Sequence, residues 1–77
     1  MTAASLRIAR DAVPFRPFSI RMADGRSFRV IRRDYLLIPP VGRTVIISFD
    51  NDGFNVLDLL LMTELSVDPL PMTEEAA

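Results

Sequence analysis

The 77-residue chain contains no cysteine, no histidine, no lysine and no tryptophan. Without cysteine it has neither a disulfide framework nor a thiolate for catalysis or metal binding. Without histidine it lacks the usual general base near neutral pH and the commonest metal ligand, and its serines have no histidine to activate them. We therefore expect no enzymatic activity, no catalytic residues, no metal site and no cofactor.

Long apolar runs are also missing, although 49% of the residues are hydrophobic. None of the runs approaches the roughly 18 residues that a membrane-spanning helix needs. The first fifteen residues lack the basic start, apolar core and small-residue cleavage site of a secretory signal. We expect a cytoplasmic protein that does not associate with membranes. Because a domain this small without disulfides usually needs further support, we also expect a homo-oligomer.

Positively charged residues are absent from the second part of the chain. Residues 1–43 carry nine arginines and three aspartates, a net charge of +6, whereas residues 44–77 carry seven acidic residues and no basic one. Such polarity can steer a basic face to an anionic partner or to the acidic edge of another copy, unless the two halves interleave and cancel. Arginine suits binding surfaces because it stacks on rings and forks onto carboxylates, although a genome composition bias would explain the missing lysine equally well.

The N-terminal residues predict a short helix over about residues 3–13. Thr2 is a suitable N-cap, and Pro14 disfavours helical geometry at the residue before it. An isolated helix of this length is marginal in water, so it must dock on the rest of the domain.

Residues 18–30 predict a β-hairpin, the element around which the chain is organised. Period-two alternation indicates a first strand over residues 18–23 and a second strand from residue 26. Asp24-Gly25 between them is typical of a two-residue type I′ turn. The predicted buried positions of the two strands are Phe18, Ile20, Met22, Phe28 and Val30.

Further short strands are expected after a bend at residues 31–34. Residues 35–38 form a third strand or the curved continuation of the second. Residues 43–50 alternate again, with Val45, Ile47 and Phe49 inward, and β-branched residues dominate there. Residues 51–53 make the next turn, and residues 54–57 start the returning strand.

The leucine-rich stretch after Asp58 leaves two alternatives open. One is a single 3₁₀ turn capped by Asp58, followed by a last strand over residues 63–67 with Leu65 and Val67 inward. The other is a helix over about residues 56–65, for which leucine and methionine are good formers. In either case residues 1–67 form a single domain, and residues 68–77 are expected to be a disordered acidic tail.

A helix followed by a meander of five short strands predicts a mainly β fold, a small SH3-like or Sm-like antiparallel barrel. The sequence also resembles a family of short uncharacterised bacterial proteins, over roughly residues 6–67. The resemblance implies an intact domain and brings no established activity. It rests on Pro14-Phe15-x-Pro17-Phe18-x-Ile20, Asp24-Gly25-Arg26, Arg33-Asp34-Tyr35, Gly42-Arg43-Thr44-Val45, Asp52-Gly53, and Asp58-Leu59 to Thr63-Glu64.

The short helix and the Asp-Gly hairpin resemble, more weakly, the Sm-like (Hfq-type) RNA chaperones of bacteria. That resemblance implies edge strands that pair between subunits into rings, and RNA binding near an aromatic position, here Tyr35 after two arginines. The second RNA-binding motif of such proteins is a basic stretch before the last strand. The corresponding residues 56–60, Val-Leu-Asp-Leu-Leu, supply an acid and leucines instead.

Two candidate surfaces and two functions follow. The first function is a small non-enzymatic binding or assembly module that acts through oligomerisation and an arginine-bearing hairpin surface on a protein partner. The alternative, which the acidic half of the chain makes less favoured, is Sm-like RNA binding. The candidate binding surface comprises Arg21, Arg26, Arg29, Arg32, Arg33 and Tyr35, and the alternative is that these arginines form an ordinary solvated face. The candidate oligomer interface comprises Leu57, Leu59, Leu60, Leu61 and Met62.

Overall fold

A computed structural model describes residues 1–69, and most of the predicted acidic tail lies outside these residues. The fold is mainly β, with one short helix, as the sequence predicts. Two three-stranded antiparallel sheets form, in the orders β2-β1-β6 and β3-β4-β5. Two 3₁₀ turns lie where the chain crosses from one sheet to the other. The elements in chain order are α1 (Ala3–Asp11), β1 (Phe18–Met22), β2 (Ser27–Val30), the first 3₁₀ turn (Arg33–Tyr35), β3 (Leu36–Leu37), β4 (Thr44–Ser48), β5 (Phe54–Asp58), the second 3₁₀ turn (Leu59–Leu61) and β6 (Met62–Val67).

Helix α1 begins where the sequence predicts and ends about two residues earlier. The Thr2 hydroxyl accepts the Ser5 backbone N–H at 3.1 Å, which satisfies one of the unpaired N–H groups of the first turn. The helix ends at Asp11 because Ala12 already has extended backbone angles, φ −60° and ψ 144°, ahead of Pro14.

The helix docks through one face and one charged side chain. Leu6 and Ala9 are buried, and the Arg7 guanidinium donates to the Pro39 carbonyl at 2.9 Å.

None of the helices within residues 1–69 has the length and apolar character needed to cross a bilayer.

The turn between β1 and β2 differs from the predicted type I′ turn. The Gly25 N–H donates to the Met22 carbonyl at 3.0 Å, and the Met22 N–H donates to the Arg26 carbonyl at 2.7 Å. Gly25 has a φ of 94°, whereas Asp24 does not have the positive φ that a type I′ turn requires. The loop therefore contains three residues with a left-handed glycine at its end, and the type I′ prediction is wrong.

Strand β1 is the centre of its sheet and of the core. Its alternation is confirmed, because Phe18 and Ile20 are fully buried and Met22 is 3% exposed. Strands β2 and β6 flank it, and a bulge between Arg21 and Met22 shifts the register with β6. The buried core residues are Leu6, Ala9, Phe18, Ile20, Met22, Val30, Leu36, Ile38, Val45, Ile47, Leu57, Leu59 and Met62.

The leucine-rich stretch forms a 3₁₀ turn, so the alternative helix over residues 56–65 is wrong. The Asp58 carboxylate accepts the Leu60 backbone N–H at 3.0 Å and caps the turn as predicted. Strand β6 then pairs with β1, and Leu65 lies opposite Ile20. Val67 lies opposite Phe18 on the same face but is 38% exposed at the strand end, so its burial is only partial.

The hairpin of β4 and β5 follows the predicted pattern. Val45 and Ile47 are buried, and the Phe49 N–H donates to the Gly53 carbonyl at 2.8 Å across the turn. Asp52 has a φ of 70°, a conformation that aspartate tolerates better than most residues. This hairpin and the β1–β2 hairpin lie in different sheets, so each presents its own outer face.

Candidate binding surfaces

The six residues of the predicted binding surface fall into two separate groups. Arg21 and Arg29 lie on β1 and β2, and Arg26 flanks the turn that joins them. Arg32, Arg33 and Tyr35 lie at the first 3₁₀ turn, where the chain leaves this sheet. The sequence therefore identifies residues that belong to two surfaces with different neighbours.

The outer face of the sheet β2-β1-β6 is polar throughout, and we call it the hairpin face. Strand pairing places Ser19 between Arg29 and Ser66, and Arg21 between Ser27 and Glu64. Paired residues share a face, so arginines, serine hydroxyls and a carboxylate lie side by side. A shallow groove of about 250 Å³ runs over this face. Its lining residues are Ser19, Arg21, Ser27, Glu64 and Ser66.

Two ion pairs on the hairpin face join the basic and acidic halves of the chain. Arg21 Nε lies 3.2 Å from Glu64 Oε1, and Arg29 forks onto both carboxylate oxygens of Asp68. The hydrogen bond from Arg29 lowers the pKa of Asp68 below its ordinary value. The charge polarity of the sequence is therefore partly neutralised in the fold, although these exposed pairs contribute little to stability.

Arg26 is held by the turn beside it. Its guanidinium lies 2.8 Å from an Asp24 carboxylate oxygen and 5.4 Å from the centre of the Phe28 ring. The Arg26 backbone N–H also donates to Asp24 and, together with the guanidinium, lowers the pKa of that carboxyl. Arg26 thus completes the hairpin turn in addition to contributing a charge to its edge.

Arg32 and Arg33 have different surroundings despite being neighbours in sequence. The Arg32 guanidinium stacks over the Tyr35 ring at 5.9 Å and faces solvent. The Arg33 guanidinium lies 5.7 Å from the Phe15 ring centre and donates to the Ala12 carbonyl at 3.0 Å. Because Ala12 is the C-cap of α1, a cation there is favourable to the helix. Sequence reasoning missed this structural role of Arg33.

The Tyr35 hydroxyl donates a hydrogen bond to the Asp50 carboxylate, which belongs to the turn after β4. The hydrogen bond raises the pKa of Tyr35 above its ordinary value, because only the protonated phenol can make it. The hydrogen bond is the largest cause, and the negative charge of Asp50 raises the pKa further.

We expect the tyrosine absorbance of the folded protein to titrate above the ordinary pKa of tyrosine, and Asp50→Asn to lower the midpoint. Tyr35 is the only tyrosine and the chain has no tryptophan, so the absorbance change reports one group. Since the pKa is raised in the folded state, the bond stabilises the protein below the ordinary tyrosine pKa, and this contribution is lost as the pH rises through the raised value. Asp52→Asn is the control, and equal midpoints in all three proteins would contradict the bond.

Three of the five residues assigned to an oligomer interface are buried inside the subunit, which corrects that prediction. Leu57, Leu59 and Met62 are only 4%, 7% and 2% exposed. They lie on the inner side of β5, of the second 3₁₀ turn and of β6, where they complete the core. Only Leu60 and Leu61, at 63% and 53% exposed, remain available for contacts outside the subunit.

The outer face of the other sheet is a surface that the sequence prediction did not include. It carries Leu37, Ile46 and Val56 side by side, with Phe54 beside them. The signal in the sequence was Ile46, an apolar residue at an outward position of an alternating strand.

Within residues 1–69, no group of three or more acidic side chains lies close enough to hold a metal ion.

Comparison with protein-family models, with curated proteins and with solved structures finds no match to this chain. Its function must therefore be inferred from the hairpin face, from the first 3₁₀ turn and from the apolar side chains that the fold leaves exposed.

Proposed function

We propose that the protein is a small non-enzymatic binding module that self-associates and holds a protein partner on its hairpin face. The observation that carries the proposal is the amount of exposed apolar surface on so small a domain. Large exposed apolar patches are typical of interaction sites in soluble proteins. The large apolar side chains that are more than a third exposed are Ile8, Val13, Ile31, Leu37, Val41, Phe54, Val56, Leu60, Leu61 and Val67.

The chemistry of the hairpin face supports an acidic protein segment as the partner. Arg21 and Arg29 are about half exposed, and the hydroxyls of Ser19, Ser27 and Ser66 lie between and beside them. Guanidinium groups bind carboxylates in a two-pronged geometry, and the exposed pairs with Glu64 and Asp68 exchange at low cost for carboxylates of a partner. The proposal retains the cytoplasmic location expected from the sequence.

The strand order supports an SH3-like or Sm-like barrel as the finer description of the fold. In that description β2 and β3 are two halves of one bent strand, interrupted by the first 3₁₀ turn. The order then becomes β6-β1-β2/β3-β4-β5, in which four consecutive strands form a meander and the last strand, β6, pairs with the first. The second 3₁₀ turn connects the outermost strands of the two sheets, as the five-strand outline requires.

RNA binding is the second candidate, and one observation favours it. The Arg32 guanidinium stacks over the Tyr35 ring, an arrangement that can be extended by a nucleobase. The Asp50 carboxylate beside Tyr35 weakens this candidate, because it places an anion next to the ring. Residues 56–60 weaken it further, because they supply an aspartate and apolar residues in place of a basic stretch. We therefore rank it below the protein partner.

Binding of a labelled glutamate-rich peptide and of single-stranded RNA, measured by fluorescence anisotropy, tests the choice. We expect the peptide to bind and its affinity to fall at least several-fold in Arg21→Ala plus Arg29→Ala. Arg10→Ala plus Arg16→Ala removes the same charge elsewhere and should leave the affinity nearly unchanged. Tighter binding of RNA than of peptide, with a steep salt dependence, would establish the second candidate instead.

Light scattering after gel filtration tests the self-association. We expect a species larger than a monomer at high micromolar concentration, with an average mass that falls on dilution. A monomer at every concentration would overturn the assembly part of the proposal.

A further inference from the structure

The outer face of the sheet β3-β4-β5 presents an apolar row that runs across all three strands. Strand pairing places Ile46 between Leu37 and Val56, so these three side chains point to the same side. Phe54, opposite Ser48, lies one step further along the sheet on that side. Leu37, Phe54 and Val56 are 56%, 65% and 59% exposed. We call these four residues the apolar face.

An arginine at one end of the apolar face pairs with an aspartate, and two further aspartates lie at the other end. At one end Arg43 Nε lies 3.3 Å from a carboxylate oxygen of Asp58, and the Arg43 side chain is 63% exposed. At the other end the turn after β4 carries Asp50 and Asp52, both exposed. Residues 44–69 contain no basic residue, so the β4–β5 hairpin offers no cation of its own to this acidic turn.

We propose that the apolar face is the contact surface between two copies of this chain, related by a two-fold axis that runs across the strands through the Leu37-Ile46-Val56 row. The proposal rests on the assembly part of the proposed function and names its surface and symmetry. A symmetric contact buries the same patch on both copies, so the apolar row of one copy covers the apolar row of the other.

The charges decide the direction of the axis. An axis across the strands reverses the strand direction of the second copy, which brings Arg43 of one copy above the acidic turn of the other, twice in each dimer. An axis along the strands would instead place each end over the identical end, so that the two acidic turns would face each other. Like charges in contact are unfavourable, and opposite charges fix the register of an interface.

The contact is consistent with how β-sheets pack. Two sheets stack face to face about 10 Å apart, with side chains of the two inner faces interdigitating. Burying apolar side chains that are more than half exposed supplies the driving force. The patch is small, so we expect a dimer that dissociates on dilution rather than an obligate one.

Sedimentation equilibrium over a range of concentrations tests the surface. Val56→Glu should abolish dimer formation, whereas Leu60→Glu, a charge at an equally exposed apolar position outside the apolar face, should leave it intact. Circular dichroism is used to check that both variants fold. If Leu60→Glu dissociates the oligomer and Val56→Glu does not, self-association stands but the apolar face is not its surface. A wild-type protein that stays monomeric overturns this proposal and the assembly part of the proposed function.

Cross-linking tests the axis, because the chain has no cysteine and single-cysteine variants report single sites. Val56→Cys lies on the proposed axis, so the two thiols should be joined by a bismaleimide with a spacer of about 10 Å, the distance between stacked sheets. Thr44→Cys lies two residues from Ile46 along the strand. Its thiols should be joined much less, because the axis places the two copies of residue 44 at opposite ends of the interface. Efficient cross-linking at residue 44 with little at residue 56 would overturn the proposed axis.

Discussion

Phe18→Ala is expected to lower the free energy of unfolding by about 3–5 kcal/mol, the cost of truncating a fully buried phenylalanine. Phe18 is 0% exposed and lies on the central strand β1, between Val30 of β2 and Val67 of β6. Its ring also packs against Phe15, with the ring centres 6.0 Å apart. A domain of this size has a total stability of about 4–10 kcal/mol, so the loss is a large share of the whole.

Urea denaturation followed by circular dichroism measures this change. Phe54→Ala removes the same atoms from a side chain that is 65% exposed, and should change the stability by less than about 1 kcal/mol. Both variants should be compared at low protein concentration, where self-association does not contribute to stability. A loss in Phe18→Ala no greater than that in Phe54→Ala would mean that β1 is not the centre of the core.

Leu6→Ala is expected to cost about 2–5 kcal/mol, because it removes the main apolar contact of α1. Leu6 is 0% exposed although it belongs to a nine-residue helix. A helix this short does not persist in water on its own, so its structure depends on docking. The Arg7 bond to Pro39 and the Arg33 bond to Ala12 remain in the variant, but both are made by partly solvated side chains and cannot replace the buried contact.

Hydrogen exchange of the α1 amides, read together with the urea midpoint, tests this dependence. Ile8→Ala makes a similar truncation at a position that is 73% exposed, and should leave both quantities nearly unchanged. We expect the α1 amides of Leu6→Ala to exchange much faster than those of the wild type. Unchanged exchange with an unchanged midpoint would show that the helix does not need the core.

The two sheets present outer faces of opposite chemistry, one polar and one apolar. The proposals assign the polar face to a protein partner and the apolar face to a second copy of the chain. The hairpin face is covered by arginines and serines, and its ion pairs with Glu64 and Asp68 keep it near electrical balance. The apolar face carries no charge except at its two ends. A dimer formed through the apolar face would leave both hairpin faces open, so the two copies together would offer two equivalent sites to a partner.

Features that depend on near neighbours in the chain could be predicted from the sequence. Thr2 caps the start of α1, and the helix ends because helical backbone angles are disfavoured ahead of Pro14. Both effects act within a few residues of the chain. Alternation in residues 18–22 and 44–48 identified both central strands, since the side-chain period of a strand is two. Asp58 indicated the second 3₁₀ turn through a hydrogen bond that spans two residues.

What covers each side of these elements could not be predicted in this way, because it depends on contacts between distant parts of the chain. Periodicity assigns side chains to one face or the other, but whether that face is covered depends on strands paired from distant parts of the chain. Leu57 is buried and Leu60 exposed for this reason, although composition does not distinguish them. Arg29 meets Asp68 only because β6 closes against β1, which neutralises a charge that the sequence alone leaves on the hairpin. The apolar face likewise exists only because β3, β4 and β5 align three separate outward residues in one row.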